Sequence, residues 1–222
     1  MSQTLPLFPL GTVLFPGLLL PLHIFEQRYR LLVRDLREQP EPRRFGVIAI
    51  REGRETGADG VTSLYDTGCT ATVRHISERD DGRFDLITVG TDRFRLISVD
   101  RAGAYLRGEV EVLDEETGSQ AAARREARAV QGTFRAYVDA LAETGAARMD
   151  IPEPPDEPVA LSYLVAACII ADLPDRQTLL DQPDALARLA AERTWLTRET
   201  AMLRSLTSAP APDLRYRPYS PN

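Results

Sequence analysis

His23, Phe25, Glu26, Arg28 and Tyr29 crowd into one short stretch and form the densest group of chemically able side chains in the sequence. An imidazole close to a carboxylate can carry a proton, but general-base chemistry also needs a nucleophile within reach. The surrounding sequence suggests none. The preferred reading is therefore structural. His23 is expected to bond nearby backbone or Glu26. Glu26 complements the dipole at a helix start, and Arg28 and Tyr29 pair with Glu26 or with the first strands. A second group is Arg93 and Arg95, which flank Phe94 and share one face of a strand. A solvated face is expected there, with contact to an acidic peptide as the other reading. His75 falls in mid-strand and reads as packing or surface. Trp195 reads as core packing or, if exposed, as a partner-binding anchor. Cys69 and Cys168 lie far apart in apolar surroundings and read as small buried hydrophobes. With only two histidines to add, no zinc spacing is present, and neither a metal site nor a cofactor is expected.

All 27 basic residues are arginine, and the sequence contains no lysine. That excludes a Schiff-base lysine, a Ser-Lys dyad and a Walker-type lysine. The net charge is −6 and is spread evenly over both halves. No basic stripe marks a phosphate-backbone partner, so nucleic acid is not expected. The longest apolar run, Val159 to Leu173, is interrupted by Ser162, Tyr163 and Asp172 and is too short for a bilayer of about 30 Å. No signal-like basic start precedes the first apolar run. A cytoplasmic, non-membrane protein is expected.

The elements that must position these residues change character along the chain. Before residue 115 most segments alternate with the period of strands. Pro6, Pro9, Pro16 and Pro21 break up the first apolar runs, which should be short edge or bent strands. Phe8, Phe15 and Phe25 are expected to pack inward. Phe25, Tyr29, Leu32, Val33 and Leu36 form one helical face, and that helix should stop before Pro40. Strands are expected at Phe45 to Arg51, at Cys69 to Ser77 (with Ala71, Val73 and His75 on one face), at Arg83 to Val89 after an Asp81-Gly82 turn, at Phe94 to Val99, and at Leu106 to Leu113. After the polar segment Asp114 to Gln120 the period becomes helical. Ser119 is the expected N-cap of a helix ended by Gly145. Pro158 opens a helix that runs to Ala171, apolar on nearly every side and so central to a bundle. A short helix, Arg176 to Asp181, follows, and Asp184 caps a last long helix with Leu186, Leu189, Leu196, Leu203 and Leu206 on one stripe. The expected division is a β-rich domain, 1–116, an α-helical bundle, 117–208, and an extended tail, 209–222.

The first block carries a resemblance. Leu5 to Leu10 reads LPLFPL, Val13 to Gly17 reads VLFPG, Pro21 to Glu26 reads PLHIFE, and Arg28 and Tyr29 follow. This pattern resembles the N-terminal, substrate-binding domain of the Lon proteases. Asp66, Gly68 and Ala71 to Val73 extend the match, as do Asp81-Gly82, Gly90 and Arg93-Phe94-Arg95, and then Gln177, Leu179 and Leu180. It covers roughly residues 5 to 206 and departs at Cys69, where a glycine or small residue is expected. The resemblance implies an α+β fold: a small curled sheet or PUA-like pseudo-barrel with one helix, followed by an α-helical bundle.

The resemblance also implies a function. A Lon protease continues into an ATPase module and a Ser-Lys peptidase, and a chain without lysine can supply neither, so no enzyme is expected. What remains is the part that contacts protein substrates, in a stand-alone copy. The implied role is a non-catalytic protein-binding module for unfolded or damaged polypeptides, or an adaptor in proteolysis. Its partners are protein or peptide clients, with an ATP-dependent protease in trans and a weak homodimer left open. Binding would use an exposed strand edge and a shallow apolar groove, at the first strands or at the seam between sheet and bundle. The residues implicated are His23, Phe25, Glu26, Arg28, Tyr29, Arg93 and Arg95. The competing reading is an RNA- or nucleotide-binding protein built on a PUA-like sheet, against which the charge balance stands.

Overall fold

The computed structural model describes residues 2–55, 61–144 and 153–208. Its first half is a sheet of six strands, β1 (Ser2–Leu10), β2 (Leu19–Ile24), β3 (Arg44–Gly53), β4 (Val61–Glu78), β5 (Phe84–Asp100) and β6 (Arg107–Val112), with α1 (Gln27–Glu38) after β2. Four helices follow: α2 (Gln120–Glu143), α3 (Pro158–Cys168), α4 (Leu173–Leu180) and α5 (Ala185–Ser208). The strand order is β2-β5-β4-β3-β1-β6, and β6 also pairs with β5. Five strands thereby close a ring, and β2 hangs on the first half of β5. β1 and β3 run parallel; the other pairs are antiparallel. The architecture is α+β, as expected.

The prolines do not make β1 an edge strand. It lies between β3 and β6, but its two halves are paired on one side each. Residues Ser2 to Pro6 pair with β6, and Leu7 to Leu10 pair with β3. Leu7 N–H donates to Leu106 O at 2.8 Å, so odd-numbered residues face β6 and even-numbered ones face β3 in this strand. Pro6 therefore turns its missing donor toward β3 before that pairing begins, and Pro9 turns its own toward β6 after that pairing has ended. An interior strand tolerates proline where no hydrogen bond is lost.

The separate strands expected at 83–89 and 94–99 are one long, bent strand, β5. Two glycines, Gly68 on β4 and Gly90 on β5, allow close approaches along it. A Cβ at Gly68 would sit 2.3 Å from Phe94 Cζ and 2.6 Å from Val47 O, and one at Gly90 would sit 2.3 Å from Phe15 O. A register shift between Val73 and His75 turns His75 outward, so the expected common face of Ala71, Val73 and His75 is broken. Asp81-Gly82 makes the expected hairpin; Gly82 has φ 74°, and Arg83 N–H donates to Asp81 Oδ1 at 3.0 Å.

Three buried clusters hold the molecule together. Inside the ring lie Leu5, Leu7, Ile48, Ile50, Val61, Leu64, Phe94 and Val110. On the other face of the sheet, α1 lays Tyr29, Leu32, Val33 and Leu36 over Phe8, Phe45, Val47 and Phe84. A third cluster joins Val13, Phe15 and Ala49 to α2, α3, α4 and α5. The sheet and the helices thus share apolar core.

The helices differ from expectation at their ends. α3 stops at Cys168, because Ile169 turns to an extended conformation, and α4 begins three residues early because Asp172 caps it, accepting from Asp175 N–H. Ser119 is the N-cap of α2 but makes no side-chain cap bond. Asp184 does cap α5, accepting from Ala187 N–H at 2.8 Å. Gly145, the tail 209–222 and the side chain of Leu206 lie outside what is described. No described helix is long and apolar enough to cross a membrane.

Candidate functional site

The residues singled out at the start of α1 do converge, around a corner between strand and helix. β2 ends at Ile24, and Glu26 is the N-cap of α1 with extended backbone angles. Its carbonyl accepts from Tyr29 N–H and Arg30 N–H, while its side chain pairs with Arg28 at 3.0 Å instead of capping the helix. Tyr29 is buried and stacks on Phe8, ring centroids 4.1 Å apart. The Arg28 guanidinium lies 4.6 Å from the Tyr29 ring and donates to Glu55 O at 2.5 Å. Burial first, then the carboxylates of Glu26 and Glu55, push the Tyr29 phenol up to about 12, against the lowering effect of Arg28. A phenol held that high remains a hydrogen-bonding group and does not serve as a base at neutral pH.

His23 bonds neither backbone nor Glu26. Its Nδ1 reaches Asp85 Oδ1 on β5 at 2.7 Å, and Arg79 Nε holds the other oxygen at 2.6 Å. The register brings the pair together, since His23 stands opposite Asp85 in the β2–β5 ladder. Hydrogen bonds from Arg79 first and His23 second lower the Asp85 carboxyl below its ordinary range. Phe25 does not pack inward. It is 51% exposed, and its ring lies over that of His23 at 6.3 Å. The chain leaves β2 at Ile24, which takes the buried position, so the next side chain points to the lip of the corner.

Phe8, Pro9, Leu10, Leu22, Ile24 and Tyr29 wall a cleft of about 120 Å³ with His23, Phe25, Glu26 and Glu55 on its rim. Glu55 is tied in by the Gly11 N–H, which donates to its carboxylate. The lining holds an aromatic, apolar floor and a charged rim, with no hydroxyl other than Tyr29 and no thiol. Its chemistry is that of a small apolar socket.

Beside it runs the open edge of β2. Gly90 N–H donates to Leu18 O, and Thr88 Oγ1 to Leu20 O. Even-numbered residues therefore turn their backbone toward β5, and Leu19, Pro21 and His23 turn theirs to the open side. Leu19 is 69% exposed. Pro21 removes one donor from the middle of this edge, which limits uncontrolled strand pairing.

Arg93 and Arg95 are not brought to the corner, and they do not share a solvated surface. Phe94 fills the ring, so both arginines face outward, but the helices cover the outside at position 93. Arg93 is 3% exposed and donates to Leu180 O at 2.8 Å, Gln182 O at 2.6 Å and Glu115 Oε2 at 3.3 Å. Arg95 stays on the surface, 3.6 Å from Glu111. Glu115 also faces Arg188 at 3.5 Å and accepts from Tyr163. Arg188 lies 4.0 Å from the Tyr163 ring and donates to Leu179 O and Ser162 Oγ. This seam of two arginines, one carboxylate and one phenol joins sheet to helices beside a groove of about 420 Å³.

Asp85, Arg79, Glu55 and Glu115 were not foreseen as partners, because each comes from a distant segment with no local signal. Arg188 and Glu192 did leave one: they are charged residues on or beside the apolar stripe of α5. Trp195 packs edge-on against Tyr137 at 5.7 Å. Cys69 is buried, which pushes its thiol up, and Cys168 is raised for the same reason. No cluster of three metal-ligating side chains occurs among the described residues.

Comparison with known proteins places these features in context. Residues 4–198 match the family model of the ATP-dependent protease La (LON) substrate-binding domain. Similar curated proteins include Lon protease 2 of Syntrophobacter fumaroxidans, 26% identical over 91% of this chain and 25% of that protein, and Lon protease 2 of Myxococcus xanthus, 26% identical over 91% and 24%. The chain thus spans about a quarter of the length of the curated relatives it matches. Among solved structures, the N-terminal domain of a Mycobacterium avium complex Lon protease is similar in fold, with a TM-score of 0.64 at 16% identity over 88% of this chain and 98% of that one. A Lon N-terminal domain protein from Xanthomonas campestris gives a TM-score of 0.59 at 24% identity, covering 87% and 98%.

Proposed function

Since this chain belongs to the family of substrate-binding domains of the ATP-dependent protease La (Lon), we propose that it is a non-catalytic recognition module. It binds unfolded or damaged polypeptides through single apolar anchors, or presents them as an adaptor in proteolysis. The partner class this implies is an ATP-dependent protease acting in trans. The observation that carries the reading is the corner cleft: an aromatic and aliphatic socket with half-exposed Phe25 on its lip, set against the open edge of β2. Its volume of about 120 Å³ is of the order of the roughly 150 Å³ apolar cavity that takes up a single benzene ring. That suits one apolar side chain rather than a small-molecule substrate. The adjacent backbone of Leu19 and His23 can bond an extended segment, while Pro21 denies it a continuous ladder. Such binding is weak and tolerant of sequence.

The test is fluorescence anisotropy with labelled unstructured peptides that carry one Leu or Phe anchor. Wild-type protein should bind them, and Phe25→Ala should weaken binding about tenfold, or about 1.4 kcal/mol. Melting should be unchanged, because the lost side chain is half exposed. Equal binding by wild type and Phe25→Ala, or no binding by wild type at millimolar peptide, would remove the reading.

A further inference from the structure

A hollow of about 550 Å³ opens between α2 and the approach to α3, away from the corner cleft. One face of α2 forms its wall. Gln120, Arg124, Arg128 and Gln131 follow one another at steps of three and four, so they share that face. Ala127 forms the floor, and its small side chain leaves the space open. Gln131 Nε2 donates to Pro155 O, which ties the far wall to α2 and leaves its amide oxygen free to accept.

The electrostatics of this hollow are uneven. Arg124 and Arg128 are exposed, one turn apart, and neither makes an ion pair or hydrogen bond among the described residues. Like charges at this spacing repel and disfavour the helix. The helix start adds to the positive side, since its first turn holds no acid and Ser119 makes no side-chain cap bond. Glu157 lies in the same hollow, but both its oxygens accept from α3, at 3.0 Å from Val159 N–H and 2.7 Å from Ala160 N–H. Asp156 stands on the rim and sets the limit on how much negative charge can enter.

The spacing of the two guanidiniums selects among anions. Side chains four apart on a helix stand about 5–6 Å apart at Cβ. Alternate residues of an extended strand stand about 6.6 Å apart on one face. Two carboxylates at alternate positions of an extended peptide therefore reach Arg124 and Arg128 together, each able to take a two-pronged bond. Gln120 and Gln131 at the two ends of the row can bond the peptide backbone.

We propose that this hollow binds an acidic stretch of the client polypeptide, one with Asp or Glu at alternate positions in extended conformation. The inference deepens the recognition role proposed above and rests on it for the nature of the ligand. It gives the module a charge-dependent second point of contact beside the apolar one.

Two labelled peptides test it: one alternating Glu with Ser, and one carrying a single Leu anchor without charge. R124E/R128E should bind the alternating peptide at least tenfold more weakly than wild type and flatten its salt dependence. R124Q/R128Q should lie between. Both variants should bind the Leu peptide as wild type does and melt as wild type does, because the two side chains are exposed. A peptide with the same Glu and Ser content but its Glu residues adjacent should bind less well than the alternating one. If charge reversal leaves the alternating peptide unaffected, the inference fails while the corner reading stands. If the Leu peptide alone fails to bind, the corner reading fails and this one stands. If inorganic phosphate occupies the hollow and the alternating peptide does not bind, the hollow takes small anions and the inference is overturned.

Discussion

Glu192 lies one turn beyond Arg188 on α5, fully buried beside it, yet neither of its carboxylate oxygens receives a hydrogen bond. Arg188 donates to Leu179 O and Ser162 Oγ, while its Nη2 faces Glu115 at 3.5 Å and, like the Glu192 oxygens, has no hydrogen-bond partner among the described residues. Burial drives the Glu192 carboxyl well above its ordinary range, and nearby Arg188 opposes this only in part.

The pH dependence of that carboxyl follows from its direction of shift. The folded state keeps the proton that the unfolded state releases. Its contribution to stability is full below the ordinary carboxyl range and is lost as pH rises toward the folded-state value, at about 1.4 kcal/mol per pH unit. Glu192→Met should therefore melt higher than wild type at pH 7.5, and the gap should close toward pH 4. Thermal denaturation across that range checks this; identical melting at neutral pH would show that the carboxylate finds a partner.

Arg93 joins the ring to the turn between α4 and α5. Replacing it with Met takes away the Arg93 donor from the buried carbonyls of Leu180 and Gln182 and leaves Glu115 with Tyr163 and Arg188 alone. The expected loss is about 3–5 kcal/mol. Arg93→Lys should restore little of it, because an ammonium cannot span the same three acceptors as a planar fork. Urea unfolding of the two variants gives the answer, and full rescue by lysine would contradict the geometry.

α3 is buried on the side of Leu161, Val165 and Ala166, whereas Leu164 is only half-buried. An Asp at Leu161 places an unpaired carboxylate in the shared core and should abolish cooperative unfolding of the helices. The same change at Leu164 should be milder. Circular dichroism melts of the pair should differ in this order.

Gly68→Ala sets a methyl group against the Phe94 ring and the Val47 carbonyl. Overpacking of this kind costs about 1–3 kcal/mol. A folded variant with unchanged midpoint in urea would mean that β4 can move away from β5 at that point.

Periodicity and turn chemistry made the elements legible. The switch near residue 115, the Asp81-Gly82 turn, the Asp184 cap and the apolar face of α1 are all local signals. The failures are long-range. Arg93 and Arg95 do occupy one strand face, but the strand pattern carries no information about a helix pair crossing over one of them. Phe25 read as core because its residue type is apolar, and only the exit angle of the chain at Ile24 decides otherwise. His23 found Asp85 through the β2–β5 register, which depends on pairing that local sequence does not encode. The corner residues themselves were legible as a group, while the arginines of α2 were passed over because charged positions on a helix face are ordinary.

The split pairing of β1 bears on how the chain is made. Its first half waits for β6, so the ring cannot close until residue 112 has left the ribosome. Pairing across so long a stretch is slow. Until then the β6-facing side of β1 has no partner, although Leu7 to Leu10 can already pair with β3. Pro6 and Pro9, which cost the finished ring no hydrogen bond, break the donor row of that waiting segment and make it a poor template for pairing with other nascent chains. The same two residues that shape the native ring thus act as gatekeepers during synthesis.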